Sequence, residues 1–306
     1  MHTNQSEAMD LRRITGVIGA EISGLDLRGE LSDAVREKLR MALAEHQVLF
    51  FRNQDLNEDQ QISVSGIFAQ PVVNIVARRF GITKQLSVIE DDGLHRPDRD
   101  SWHSDVTFAD NPPSIAVLKA VVIPPYGGDT MWASLYGAYD ALSPTMQAFV
   151  DTLDVVHFTG HDMIELIRKR QGEEAATRMQ TTFGDMAHPL VLRHPLTGRK
   201  ALFISERFTK KIVGLTDQES EALLFYLHRL IDNPDLQVRW KWQQNDIAIW
   251  DERTTNHRGL TDHFPQHRII VRCEGEGDPP SSWGLRPRPS PTSVQSVGDR
   301  VRVPVV

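Results

Sequence analysis

The sequence predicts a mainly β protein with flanking helices, its strands forming a double-stranded β-helix (jelly-roll) core. Three observations carry this. Short apolar segments of strand length recur along the chain, among them Ile115 to Val122, Thr130 to Ser134 and Ile269 to Val271. Few segments of helical spacing separate them. The imidazole and carboxylate groups able to carry chemistry fall on expected strands or just beyond their ends.

Taken in order, Val17 to Ile22 reads as an early strand. Ser32 to Glu45 has helical spacing, with Val35, Leu39 and Leu43 on one stripe, and runs into a strand over Gln47 to Arg52. Asn57 to Phe68 is a second helix and Ser143 to Thr152 a further one. Residues 158–186 form a polar, charge-rich insertion with weak helical periodicity. An insertion of that length suits an active-site lid or a merely exposed loop. Thr216 and Glu219 have capping-box spacing for a helix ending near Asp232.

Gln237 to Lys241 is then expected to pair with Asp246 to Trp250 across a short turn. Within the latter, Ile247 and Ile249 alternate with other residues in the manner of a half-buried strand. No internal repeat is present. Residues 1–10 are expected to be a flexible N-terminus, 11–275 one domain, and 276–306, rich in Pro, Ser and Arg, a mobile tail or interface arm.

Composition bounds the function without naming it. With 306 residues, 40% of them hydrophobic, the chain can bury one large core. Its 34 basic and 41 acidic residues leave a net charge of −7, which argues against a nucleic-acid or membrane-surface partner. The one cysteine, Cys273, cannot form an internal disulfide, so a cytoplasmic, reducing setting is expected.

The chemistry concentrates at Trp102-His103-Ser104-Asp105. On a strand, residues two apart point to the same side, so His103 and Asp105 could grip one ion from one edge. A second imidazole, His257, follows a short polar turn downstream. Two His and one carboxylate on one face of a metal, the opposite face open, form the donor set of non-haem Fe(II) oxygenases. His-x-Asp alone also arises from a satisfied histidine beside a solvated aspartate. Arg268 and Arg272 lie four apart and share a strand face. Inward-facing arginines need anions: bound carboxylates or their equivalents, or buried Asp and Glu.

The chain resembles the taurine dioxygenase and 2,4-dichlorophenoxyacetate dioxygenase family of Fe(II)/2-oxoglutarate-dependent enzymes. The resemblance rests on WHSDVTF (Trp102 to Phe108), GGDTMW (Gly127 to Trp132), His188 to Val191 with His194-Pro195, NDIAIWD (Asn245 to Asp251), and His257 with Arg268 and Arg272. It spans roughly residues 11–275. It implies Fe(II) held by His103, Asp105 and His257, with 2-oxoglutarate and O2 as co-substrates. Arg268 would pair bidentately with the distal carboxylate of 2-oxoglutarate, and Thr130 would donate its hydroxyl to the same group. Arg272 would hold the anionic head of the primary substrate and Phe208 would wall its pocket. Retention of Asp105 implies hydroxylation rather than halogenation. The resemblance also implies a homo-oligomer, a dimer or tetramer.

Departures from the taurine pattern bear on the substrate. Asn74 and Ala77 stand where taurine-specific members place a substrate-contacting His and Tyr, and Arg99 where they place a contacting Asn, so the resemblance implies that Asn74 and Arg99 meet the substrate. Val72, Val73, Ile75 and Val76 make this stretch apolar. A small organic anion with a larger apolar tail is therefore expected: an alkyl sulfate or sulfonate, or an aryloxyalkanoate of the phenoxypropionate or phenoxyacetate type. Hydroxylation beside the heteroatom would give an unstable adduct, releasing a carbonyl product with sulfate, sulfite or a phenol. Two other classes stay open at this point, a zinc-dependent cupin-type hydrolase using the same triad and a non-catalytic binding barrel.

Overall fold

The computed structural model describes residues 9–97 and 101–285. The order begins β1 (Asp10–Arg13), β2 (Ala20–Ser23), α1 (Asp33–His46), β3 (Val48–Phe51), α2 (Glu58–Ser65), β4 (Pro71–Val72), α3 (Ile75–Arg79) and β5 (Leu86–Asp91). It continues through β6 (Ile115–Val122), β7 (Thr130–Ser134), α4 (Leu135–Asp140), α5 (Pro144–Val150), β8 (Asp154–His157), α6 (His161–Gln171) and α7 (Glu173–Thr182). Then come β9 (Met186–Pro189), β10 (Val191–Arg193), β11 (Lys200–Leu202), β12 (Thr209–Ile212) and α8 (Asp217–Ile231). The last strands are β13 (Gln237–Trp240), β14 (Ile247–Asp251), β15 (Thr255–Gly259) and β16 (Arg268–Gly275).

The major sheet runs β1-β2-β3-β14-β6-β16-β4, with β5 also paired to β16, and a smaller sheet runs β13-β7-β15. Period-2 side-chain alternation explains how they stack. Val48, Phe50, Ala116, Leu118, Ala248, Trp250 and Ile270 face Trp132, Val238 and Trp240 of the small sheet in one buried cluster. The alternate residues, Leu49, Phe51, Ile115, Val117, Ile247 and Ile249, face Val35, Leu39 and Leu43 of α1 and Val64 of α2 in another. This is the two-sheet jelly-roll arrangement with helices on the outer face. β14 is consequently buried throughout, not half-buried: Ala248 and Trp250 pack inward while Ile247 and Ile249 meet the helices.

A second expectation is corrected by the same geometry. β13 pairs with β7, and β14 pairs with β3 and β6. The turn between them therefore crosses from one sheet to the other rather than closing a hairpin. Asp246 holds that crossing: its Oδ2 accepts from Gln243 N at 2.8 Å and Trp240 Nε1 at 3.1 Å.

Helix ends follow their caps. Ser32 and Asn57 cap α1 and α2, and Thr216 with Glu219 forms the expected capping box on α8. The polar stretch 158–186 folds largely into α6 and α7. Ile164, Ile167, Ala176 and Met179 from these helices pack with Val106, Phe108 and Phe208.

At the chain ends, Asp10 already belongs to β1. Residues 276–285 pack rather than trail: Trp283 joins Leu192 and Phe203 in a small cluster. Residues 1–8 and 286–306 lie outside the described residues. Among those described, no helix is long and apolar enough to cross a membrane.

Candidate active site

Backbone pairing brings the first three residues together. His103 N donates to His257 O at 3.0 Å, and His257 N donates to His103 O at 2.7 Å. Such a reciprocal antiparallel pair puts both side chains on the same face. The imidazole centroids are 4.3 Å apart. Ser104 Oγ donates to Thr255 O at 2.7 Å, and Asn256 Nδ2 donates to Ser104 Oγ at 2.9 Å, zipping the 103–105 segment to β15.

The strand expected for His-x-Asp shrinks to this one-residue bridge. Asp105 already lies in the turn that follows, and Val106 has φ +53°. A β-branched residue in that region is strained, and such strain gathers at functional sites.

Asp105 completes the group from the turn. Its Oδ1 is 3.6 Å from His103 Nε2 and 4.0 Å from His257 Nε2. One donor atom from each of the three residues lies within 4.8 Å of the others, and all three residues are buried. Burial alone would raise the Asp105 carboxyl; the Arg272 guanidinium and the two imidazoles instead hold it well below the usual carboxylate range. His103 Nδ1 contacts Ser101 O at 2.8 Å, which fixes the tautomer and turns Nε2 toward Asp105. An ionised carboxylate and two converging imidazole nitrogens fit a divalent metal ion.

These residues line one wall of a cavity of about 450 Å³ that also meets Thr130, Phe208, Asn74, Arg268 and Arg272. Arg268 and Arg272 share this cavity as two positions on one face of β16 should. Arg268 Nε donates to Gly128 O at 3.0 Å, and Nη1 lies 3.7 Å from Asp91. Arg272 pairs with Asp105 Oδ2 at 2.5 Å and Glu274 at 3.0 Å, so the buried-acid reading of that arginine is realised in the structure. Thr130 Oγ1 accepts from Trp242 Nε1 at 3.0 Å. Phe208 meets the His103 ring edge-on at a centroid distance of 5.9 Å. Asn74 lies on the wall with its side chain committed to Glu274 and to the first amides of α3. Arg99 lies outside the described residues.

Two buried acids were not anticipated from the sequence, Glu252 and Glu274. Glu252 Oε2 accepts from Asp105 N at 2.9 Å and Oε1 from Trp250 Nε1 at 2.7 Å. Burial, reinforced by the nearby Asp105 charge, pushes its carboxyl well above the usual range. Its place directly after NDIAIWD was the available signal.

The match to known proteins agrees with this geometry. Residues 10–273 fit the model described as "Taurine catabolism dioxygenase TauD, TfdA family". The chain belongs to the TauD, TfdA family. Like its relatives, this TauD, TfdA family member is an α-ketoglutarate-dependent dioxygenase, an oxidoreductase that uses Fe(II), 2-oxoglutarate and O2.

It is 35% identical over 279 residues to the alkylsulfatase of Acinetobacter baylyi, covering 90% of this chain and 87% of that one. It is 34% identical over 276 residues to an alpha-ketoglutarate-dependent sulfate ester dioxygenase of Pseudomonas putida, covering 89% and 91%. The crystal structure of a taurine dioxygenase from Burkholderia xenovorans superposes with a TM-score of 0.74 at 35% identity, covering 88% of this chain and 91% of that one.

Proposed function

We propose that this dioxygenase hydroxylates the carbon beside the heteroatom of a small organic sulfate ester or sulfonate. The observation that carries the reading is the convergence of His103, Asp105 and His257 on a cavity whose walls also hold Arg268, Thr130 and Arg272. Its two relatives named for sulfate esters support the sulfur head group over an aryloxyalkanoate. By the same reading the protein is a cytoplasmic homo-oligomer, which sedimentation would check.

His103, Asp105 and His257 would hold the metal. Bound iron supplies the activation of O2 that accompanies decarboxylation of 2-oxoglutarate to succinate and CO2. The chain's own share is placement and exclusion of water. Arg268 is assigned the distal carboxylate of 2-oxoglutarate, assisted by Thr130. Arg272 is assigned the anionic head of the primary substrate, which brings the neighbouring carbon to the triad. Phe208 closes the wall beside His103, and Met163 and Leu166 of α6 line the outer side, so the α6–α7 pair is read as a cover. Hydroxylation gives a hemiacetal-like adduct that collapses to a carbonyl compound and sulfate or sulfite.

The test is succinate formation by the Fe(II)-loaded protein with 2-oxoglutarate and O2 across alkyl sulfates, alkyl sulfonates, taurine and aryloxypropionates. Stimulation by a sulfur compound with stoichiometric carbonyl release is the expected result. Stimulation by aryloxypropionates alone would move the substrate to that class.

A further inference from the structure

Arg272 is gripped from two sides. Its Nη1 donates to Asp105 Oδ2 at 2.5 Å, while Nη2 lies 3.0 Å from Glu274 Oε1. Glu274 sits two residues along the same face of β16 and is only 3% exposed. Its two oxygens accept from Asn74 Nδ2 at 2.8 and 2.9 Å. Asn74 Oδ1 in turn accepts the backbone amides of Val76 and Ala77, both at 3.0 Å, in the first turn of α3. A continuous, largely buried chain of contacts thus runs from Asp105 through the partly covered Arg272 to Glu274, Asn74 and a helix end. Each contact made to Glu274 comes from a donor, as an acceptor-only carboxylate requires.

This chain treats the two oxygens of Asp105 differently. Oδ1 faces both imidazole Nε2 atoms, and Oδ2 is taken by Arg272. The difference has chemical weight. A metal held by two His and one carboxylate oxygen keeps three open positions, two for chelation by 2-oxoglutarate and one for O2. A second carboxylate oxygen on the metal would remove one of them. Arg272 alone is a weak guard, because an incoming substrate anion competes for its guanidinium. With Glu274 fixed by Asn74, one edge of the guanidinium stays anchored.

We propose that Glu274 and Asn74 are positioning residues that hold Arg272 against Asp105 Oδ2, so that Asp105 offers the metal Oδ1 alone. The inference rests on reading the His103, Asp105 and His257 cluster as a metal centre. It gives Asn74 a role behind the cavity wall rather than as a direct substrate contact.

The experiment uses the full chain, with Co(II) as a spectroscopic probe and calorimetric titration of 2-oxoglutarate. Glu274→Ala is expected to weaken Co(II) or 2-oxoglutarate binding about 10- to 100-fold, the usual cost of losing a partner behind a metal ligand, and to change the intensity of the Co(II) d–d bands. Asn74→Ala should move both readings in the same direction by less. Glu274→Gln should recover most of the wild-type spectrum, since its amide oxygen still accepts from Arg272. Wild-type bands and affinities in Glu274→Ala would overturn the proposal. Should that variant not fold, Asn74→Ala decides by the same two readings. If wild-type protein itself shows no Co(II) bands, the metal reading falls and takes the inference with it; bands in wild type that are unmoved in the variants defeat the inference alone.

Discussion

Gly128→Ala should weaken 2-oxoglutarate binding without touching any ligand. Gly128 has φ +68°, and a Cβ there would lie 3.0 Å from Arg268 Cδ and 3.2 Å from Nε. Carbon atoms prefer about 3.5–4.0 Å, so Arg268 must give way by a few tenths of an ångström. The backbone cost of a side chain in this left-handed region is about 1–2 kcal/mol. The charge-assisted pair between Arg268 and a carboxylate is worth about 1.5–3 kcal/mol. Misplacing it by half its worth raises the Kd about 4- to 12-fold.

Gly198→Ala separates the two effects. It shares the conformation, at φ +69°, but a Cβ there meets nothing within 4 Å. Calorimetric titration of 2-oxoglutarate into Mn(II)-loaded protein measures the binding, and thermal unfolding measures the strain. Both variants should lose a few degrees in Tm, and only Gly128→Ala should lose affinity. Equal affinity losses, or none in Gly128→Ala, would refute the placement of the co-substrate carboxylate at Arg268.

Three further outcomes are expected. Arg268→Ala should raise the Kd for 2-oxoglutarate and leave the KM for the primary substrate nearly unchanged; steady-state kinetics beside the titration would expose a swap of the two arginines as an effect confined to that KM. Glu252→Ala strips the acceptors from two buried donors, Asp105 N and Trp250 Nε1, and should cost about 2–5 kcal/mol in denaturant unfolding, with Glu252→Gln costing less. Burial pushes the partly covered His228 of α8 down to about 4, with Asp232 opposing. The unfolded chain therefore binds the extra proton first, so stability is full above pH ~6.5 and is lost as pH falls toward ~4. His228→Gln should flatten that limb by about 1–3 kcal/mol, read from chemical denaturation at pH 7 and pH 4.5.

Much of the site was legible because its residues sit at short, regular spacings. Arg268 and Arg272 fall on one face of β16 by period alone, and Thr130 opens a strand whose bounds, Thr130–Ser134, match the expectation. What the spacing could not show is partnership between distant segments. Glu252 and Glu274 look like ordinary surface acids until Asp105 N, Trp250 and Asn74 are folded onto them. The β13–β14 hairpin failed for a related reason. Local alternation marks a strand but not its sheet, and the crossing is decided by which partners, β7 or β3 and β6, bury Trp240 and Trp250. The helices α6 and α7 were hidden by charge, since only a few of their side chains face Phe108 and Phe208.

The reciprocal backbone bridge between His103 and His257 has a consequence for how such a chain can diversify. The two ends of the reactive group are stapled main chain to main chain, independent of any side chain that a substrate meets. Parts of the cavity wall, α6 with Met163 and Leu166 and the turn carrying Phe208, hang outside this staple. They can be lengthened, repacked or recharged while the chemistry stays in register. Selection on substrate can act through these outer parts with little effect on reactivity, whereas at Arg272 and α3 the two stay tied through Glu274 and Asp105.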